Sequence, residues 1–139
     1  MPNTVNDRYR YGARSIEPYP VKASAVIKAG DFCDLDSNGY LQPCAAGDIA
    51  TLVSVDTITG GSSDGDVICR ADSSTESVYE YPPDSGTLTL ALQLKTCDVG
   101  GPQSIDPDAA TDNALLIRRV DTSANTALVS LVGVYSGVV

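Results

Sequence analysis

The chain contains no histidine and no tryptophan, one phenylalanine (Phe32) and one methionine among its 139 residues. Lacking histidine, it lacks the commonest general base and the commonest transition-metal ligand. Lacking tryptophan, it lacks the platform on which carbohydrate-binding modules most often stack a sugar. No run approaches the ~20 apolar residues of a membrane-spanning helix. Met1 to Asn6 shows no basic start followed by an apolar stretch, so the expectation is synthesis and folding in the cytosol. Among the four cysteines there is no C-x-x-C pair, which leaves zinc and thioredoxin-type chemistry unsupported. Neither G-x-x-x-x-G-K nor G-x-G-x-x-G occurs, so no phosphate cradle is visible.

What is present points to sheet. Hydrophobic residues make up 42% of the chain and charged residues 19%, enough apolar material for one core and too little charge for disorder. The length fits a single domain. The apolar residues are mostly Val, Leu, Ile and Ala, which suit a pleated surface. Short apolar stretches separated by turn residues predict strands at 21–28, 31–36, 40–44, 49–56, 66–71, 76–81, 87–94, 114–120 and 126–135. This spacing indicates a small all-β sandwich or barrel-like domain. The clearest alternation is at 87–94, with Leu88, Leu90, Leu92 and Leu94 on one face. Loops are expected at Gly60–Gly65, Pro82–Gly86 and Gly100–Pro102, and Asp106 followed by Pro107 could open one helical turn.

Charge is distributed unevenly. Residues 1–28 hold Arg8, Arg10, Arg14, Lys22 and Lys28 against Asp7 and Glu17, a local balance of +3, whereas the whole chain carries −9. An acidic body repels phosphate, so neither nucleic acid nor an anionic membrane is an expected partner. Residues 1–20 show no helical period and contain three prolines and three of the seven tyrosines. They read as an extended N-terminal arm, followed by a single β domain at 21–139. Arginine and tyrosine are enriched at interface anchors, so the arm is a candidate contact segment; the plainer reading is that its tyrosines cover the domain's own sheet.

Two local motifs carry chemistry. Asp34-Leu35-Asp36-Ser37-Asn38-Gly39 opens like a calcium-binding loop, but the twelfth position is Ala45 where a bidentate Glu is needed. Asn38-Gly39 is better read as a two-residue type I′ hairpin turn. That register sets Asp36 opposite Leu41, Asp34 opposite Pro43 and Cys33 opposite Cys44, with the thiols free and buried rather than bridged. The acid pairs Asp64/Asp66 and Asp106/Asp108 lie in turn-rich stretches where solvation explains them. No catalytic site, cofactor site or metal site is expected, and the chain is not read as an enzyme.

The stretch from Val21-Lys22-Ala23 through Gly30-Asp31-Phe32 and Asn38-Gly39-Tyr40-Leu41-Gln42-Pro43, continued by Leu52-Val53-Ser54-Val55, resembles small capsid decoration (cement, head-stabilising) proteins of tailed bacteriophages. Weaker likeness runs from Ala127 to Tyr135. The resemblance implies a β-sandwich or barrel-like fold on the outer surface of an icosahedral virion, made in the host cytoplasm and often trimeric. It also implies an N-terminal arm that contacts the major capsid protein and helps to hold neighbouring subunits together. Carried onto this sequence, the contact residues would be Arg8, Tyr9, Arg10, Tyr11, Arg14 and Tyr19. A carbohydrate-binding or adhesin module of a virion or cell surface is the alternative from another class, and a trimeric β-type enzyme with acids between subunits is a third.

Overall fold

The computed structural model describes residues 8–133. The first seven residues of the expected arm, and positions 134 and 135 of the last expected strand, lie outside the described residues. Thirteen short strands follow one another: β1 (Tyr9–Tyr11), β2 (Ile16–Pro20), β3 (Val26–Ile27), β4 (Phe32–Leu35), β5 (Leu41–Pro43), β6 (Leu52–Ser54), β7 (Ile58–Thr59), β8 (Ile68–Asp72), β9 (Val78–Tyr81), β10 (Thr96–Gly101), β11 (Ser104–Asp106), β12 (Leu115–Asp121) and β13 (Thr126–Leu131). They form three antiparallel sheets in a sandwich-like arrangement, and among the described residues no sheet closes into a barrel. The first sheet has the order β1-β9-β13-β12-β10-β11, the second β2-β8-β6-β4-β5, and β3 pairs with β7 in a two-stranded ribbon.

The central strands β4 and β6 of the second sheet bury residues on both faces, which explains why Phe32-Cys33 and Leu52-Val53 read as unbroken apolar pairs. Alternation sends Phe32 and Val53 into a core shared with Tyr79, Tyr81, Leu115, Ile117 and Val129 of the first sheet. The adjacent residues Cys33 and Leu52 point the other way, into a smaller core with Val21, Ile27, Leu41, Cys69 and Ala71. Leu52, Val53 and Ser54 are consequently all buried. Phe32 stacks on Tyr81 with ring centroids 4.2 Å apart, anchoring the larger core at its centre.

Two strands precede Val21, so residues 9–20 are paired into the sandwich. β1 is the edge of the first sheet, against β9, and β2 is the edge of the second, against β8. The Ser73 N–H donates to the Ser15 carbonyl and the Val21 N–H to that of Val67. Hydrogen-bonded positions therefore fall on 15, 17, 19 and 21, and Pro18 and Pro20 occupy the alternate sites whose missing N–H would face away from β8. Prolines there block further strand addition at this edge. Gly12 makes the passage between the two sheets possible. Its φ is +104° and a Cβ there would lie 2.1 Å from the Glu76 carbonyl oxygen.

The hairpin forms, but with a register one residue away from the type I′ expectation. Cys33 faces Pro43, Asp34 faces Gln42 and Leu35 faces Leu41. Of the two turn residues only Gly39 has positive φ, at +88°, and its N–H donates to the Asp36 carbonyl. The loop is thus a three-residue type I turn closed by a glycine bulge. The cause is Asp36, whose Oδ1 accepts from the N–H groups of Asn38 and Tyr40 at 2.9 and 3.0 Å and so holds the turn open by one residue. Because a slip of one reverses the faces, Cys33 and Cys44 end in different cores.

The expected strand at 87–94 is not a strand. Leu88 enters the large core, but the chain then makes a 3-10 turn at Leu90–Leu92, and Leu94 adopts φ +65°. Only the end of this leucine run bonds β12 through the backbone, the Leu94 N–H donating to the Ile117 carbonyl and the Ile117 N–H to that of Lys95; β12 is otherwise flanked by β13 and β10. β10 itself was hidden by Gly100-Gly101. A Cβ at Gly100 would sit 2.8 Å from both Asp84 Cβ and the Ile105 carbonyl oxygen, so glycine serves a close approach there rather than a break. Asp106-Pro107 opens a tight turn, the Ala109 N–H reaching the Asp106 carbonyl, and no helix follows.

Candidate functional site

The six arm residues separate into four placements. Arg8, Tyr9 and Arg14 are drawn together against the first sheet. The Arg14 guanidinium lies 3.7 Å from the centroid of Tyr9 and 5.8 Å from that of Tyr79, and Arg8 lies 5.5 Å from that of Tyr81. Tyr9 meets Tyr79 edge to face at 5.6 Å and donates its hydroxyl to the Gly12 carbonyl at 2.6 Å. Arg8 Nε donates to Gln103 Oε1, and Gln103 Nε2 in turn donates to Asp31 Oδ1 at 2.6 Å. Arg10 sits on the outside of the same sheet, paired with Glu80 at 2.8 Å. Tyr19 belongs to the second sheet, opposite Cys69. Tyr11 remains half exposed at the sheet edge.

A buried carboxylate fixes this strap in place. Asp72, at the end of β8, accepts from the Ser77 and Tyr79 hydroxyls at 2.6 Å each and from the Ser15 and Ser74 N–H groups at 2.9 Å each. Arg14 Nε stands 3.9 Å away. One side chain thereby joins the first sheet, the second sheet and the passage between them. Ser74, Ser77 and Tyr79 follow Asp72 closely in sequence, whereas Ser15 and Arg14 reach it from a distant stretch. Asp98 plays a similar part under the 109–113 loop, accepting the N–H groups of Thr111, Asp112 and Asn113.

The calcium-like motif does not converge. Asp36 caps its own turn and pairs with Lys22 at 3.1 Å, while Asp34 lies within β4 and accepts from Gln42 Nε2. Asp34 instead shares a cleft with Asp48, and one donor atom from each of Asp34, Asp48 and the Cys44 thiol lies within 4.8 Å of the others. Burial, then the charges of Asp34 and Asp48, push the Cys44 thiol far above its ordinary value, which disfavours the thiolate a soft metal would need. The cleft encloses about 570 Å³ and is lined by Tyr19, Leu35, Ile49, Leu52 and the carboxylates of Asp34, Asp48 and Asp112. Sequence reading missed it because its walls come from five separate stretches.

Burial raises the thiols and the Asp31 carboxyl above their ordinary values. All four cysteines are free and buried. Burial raises the Cys33 and Cys69 thiols and brings Cys97 to about 12. Asp31 is likewise raised by burial, against the Lys28 N–H and Gln103 hydrogen bonds that favour its charged form. Asp31, Asp72 and Asp98 thus each spend their acceptors on backbone or side-chain donors that shape the fold. No family model, curated protein or solved structure matches this chain. The fold and these surfaces define an all-β sandwich whose buried polar groups are engaged in holding it together.

Proposed function

We propose that this chain is a structural virion protein that binds the outside of an icosahedral phage capsid and stabilises contacts between major capsid protein subunits. The observation that carries the reading is the strap at residues 10–18: every one of its residues is exposed, yet it is anchored in both sheets. A segment ordered before it binds loses little conformational freedom on docking. Arg10, Tyr11, Ile16 and Glu17 offer the mixed aromatic, aliphatic and charged chemistry of a contact surface. The inward use of Asp31, Asp72, Asp98 and the four thiols agrees with a role in assembly rather than in turnover.

Co-sedimentation with purified capsids that lack the protein tests this reading. Binding should saturate at a fixed ratio to the major capsid protein, and Tyr11→Ala should weaken it at least tenfold while circular dichroism stays unchanged. Failure to co-sediment, together with specific signals on a glycan array, would replace it with the adhesin reading.

A further inference from the structure

Residues 85–97 contain no carboxylate, although the chain as a whole carries a net charge of −9. At the tip of this segment Leu90 and Leu94 are 61% and 74% exposed, more than any other large apolar residue described. Leu94 also holds a left-handed backbone at φ +65°, which a leucine adopts only against a steric penalty. Beside it Lys95 is exposed and forms no ion pair among the described residues. Arg10, Arg14, Lys22 and Arg70 each stand within 4.0 Å of a carboxylate, whereas Lys95 shares its unpaired state with the exposed Lys28 and Arg119 and differs from them in having two exposed leucines beside it. An apolar knob with a free cation is therefore displayed on an acidic protein.

The chain also carries a complement to this knob. The cleft between Asp34, Asp48 and Asp112 has apolar walls in Tyr19, Leu35, Ile49 and Leu52, and among the described residues none of these three carboxylates is paired with a cation. Its volume falls in the range of ligand-binding clefts, roughly 300–1,000 Å³. Burial already raises Asp34, and the neighbouring Asp48 raises it further, so an incoming cation would relieve the repulsion.

We infer that the knob at Leu90, Leu94 and Lys95 docks in the acidic cleft of a second copy of this chain. The ammonium of Lys95 would sit among Asp34, Asp48 and Asp112, with the two leucines against Leu35 and Ile49. Two copies with this net charge repel one another on average, so association depends on this local match of sign and shape. The contact is distinct from capsid binding and stands or falls separately from it.

Light scattering coupled to size exclusion, over a concentration series, is the test. The wild type should show a mass that is a multiple of 14.5 kDa. Lys95→Glu and Asp112→Lys should each raise the dissociation constant at least tenfold and leave the far-UV circular dichroism spectrum unchanged. Mixing those two variants should restore a heteromer, because one supplies the intact knob and the other the intact cleft. Asp48→Asn serves as a second cleft variant and should weaken association in the same direction. A wild type that stays monomeric at every concentration overturns the inference, as does an oligomer that Lys95→Glu and Leu94→Ser leave intact.

Discussion

Residues 8–20 and residues 87–95 each end where residue type alone would not place them. The first segment concentrates arginine and tyrosine, the residues of interface hot spots, yet Arg8, Tyr9 and Arg14 spend their contacts on Tyr79, Tyr81 and Asp72 of the same molecule. The second reads as the best core strand in the sequence and instead holds two leucines out in water. Residue type tells what a side chain can bind; which partner it meets depends on which sheet edges are open. β1 and β2 each take a sheet edge, whereas the leucine run meets β12 only through the backbone of Leu94 and Lys95.

The comparison can be broken most forcefully by truncation. A chain starting at Val21 loses one edge strand from each sheet and strips Asp72 of its Ser15 and Arg14 contacts. It should be unfolded by circular dichroism at 25 °C, and a cooperative native-like melt would show that the strap is dispensable. Gly12→Ala should come next. It forces a Cβ into the Glu76 carbonyl at a φ that alanine tolerates poorly, and it should destabilise by about 3 kcal/mol or more in urea titration. Asp72→Ala, which leaves the Tyr79 and Ser77 hydroxyls and two N–H groups without their acceptor, should lose about 3 kcal/mol.

On the other side of the comparison, Leu94→Gly should stabilise by up to about 1 kcal/mol. Glycine accepts the left-handed backbone, and little buried surface is lost from a side chain that is mostly in water. A loss of more than this amount would mean that Leu94 packs within its own chain.

The smallest effect is with pH. The Thr126 hydroxyl and Arg10 hold the Glu80 carboxyl below its ordinary value of 4.5, and Arg70 holds Asp56 below 3.8. Because both folded values are depressed, their contribution is complete above those ordinary values and is lost as pH falls through the folded ones. Burial of Asp31 acts in the opposite sense, since its raised value favours the protonated form in the fold. The net acid loss should be slight, and Glu80→Gln should flatten part of it in melts between neutral pH and pH about 3.

The all-β class and most central strands were legible, because β4, β6, β8, β9, β12 and β13 lie within apolar runs bounded by turn residues. The hairpin was legible in place but not in register, since Asp36 decides the loop length through a side chain that a search for Asn-Gly overlooks. β1 and β2 were hidden because edge strands need no apolar alternation and tolerate Pro18 and Pro20. The acidic cleft was illegible because Tyr19, Asp34, Asp48 and Asp112 come together only through pairing between distant segments.

Native-state amide hydrogen exchange at Glu17 and Tyr19 tests most directly whether the strap is part of the folded unit. Both positions alternate with prolines and fall on the bonded register against Ala71 and Cys69. They should exchange orders of magnitude more slowly than an unstructured peptide, within reach of the protection expected at the buried Val53 and Val129. Exchange at the free-peptide rate would contradict the account and return residues 8–20 to the status of a detached arm.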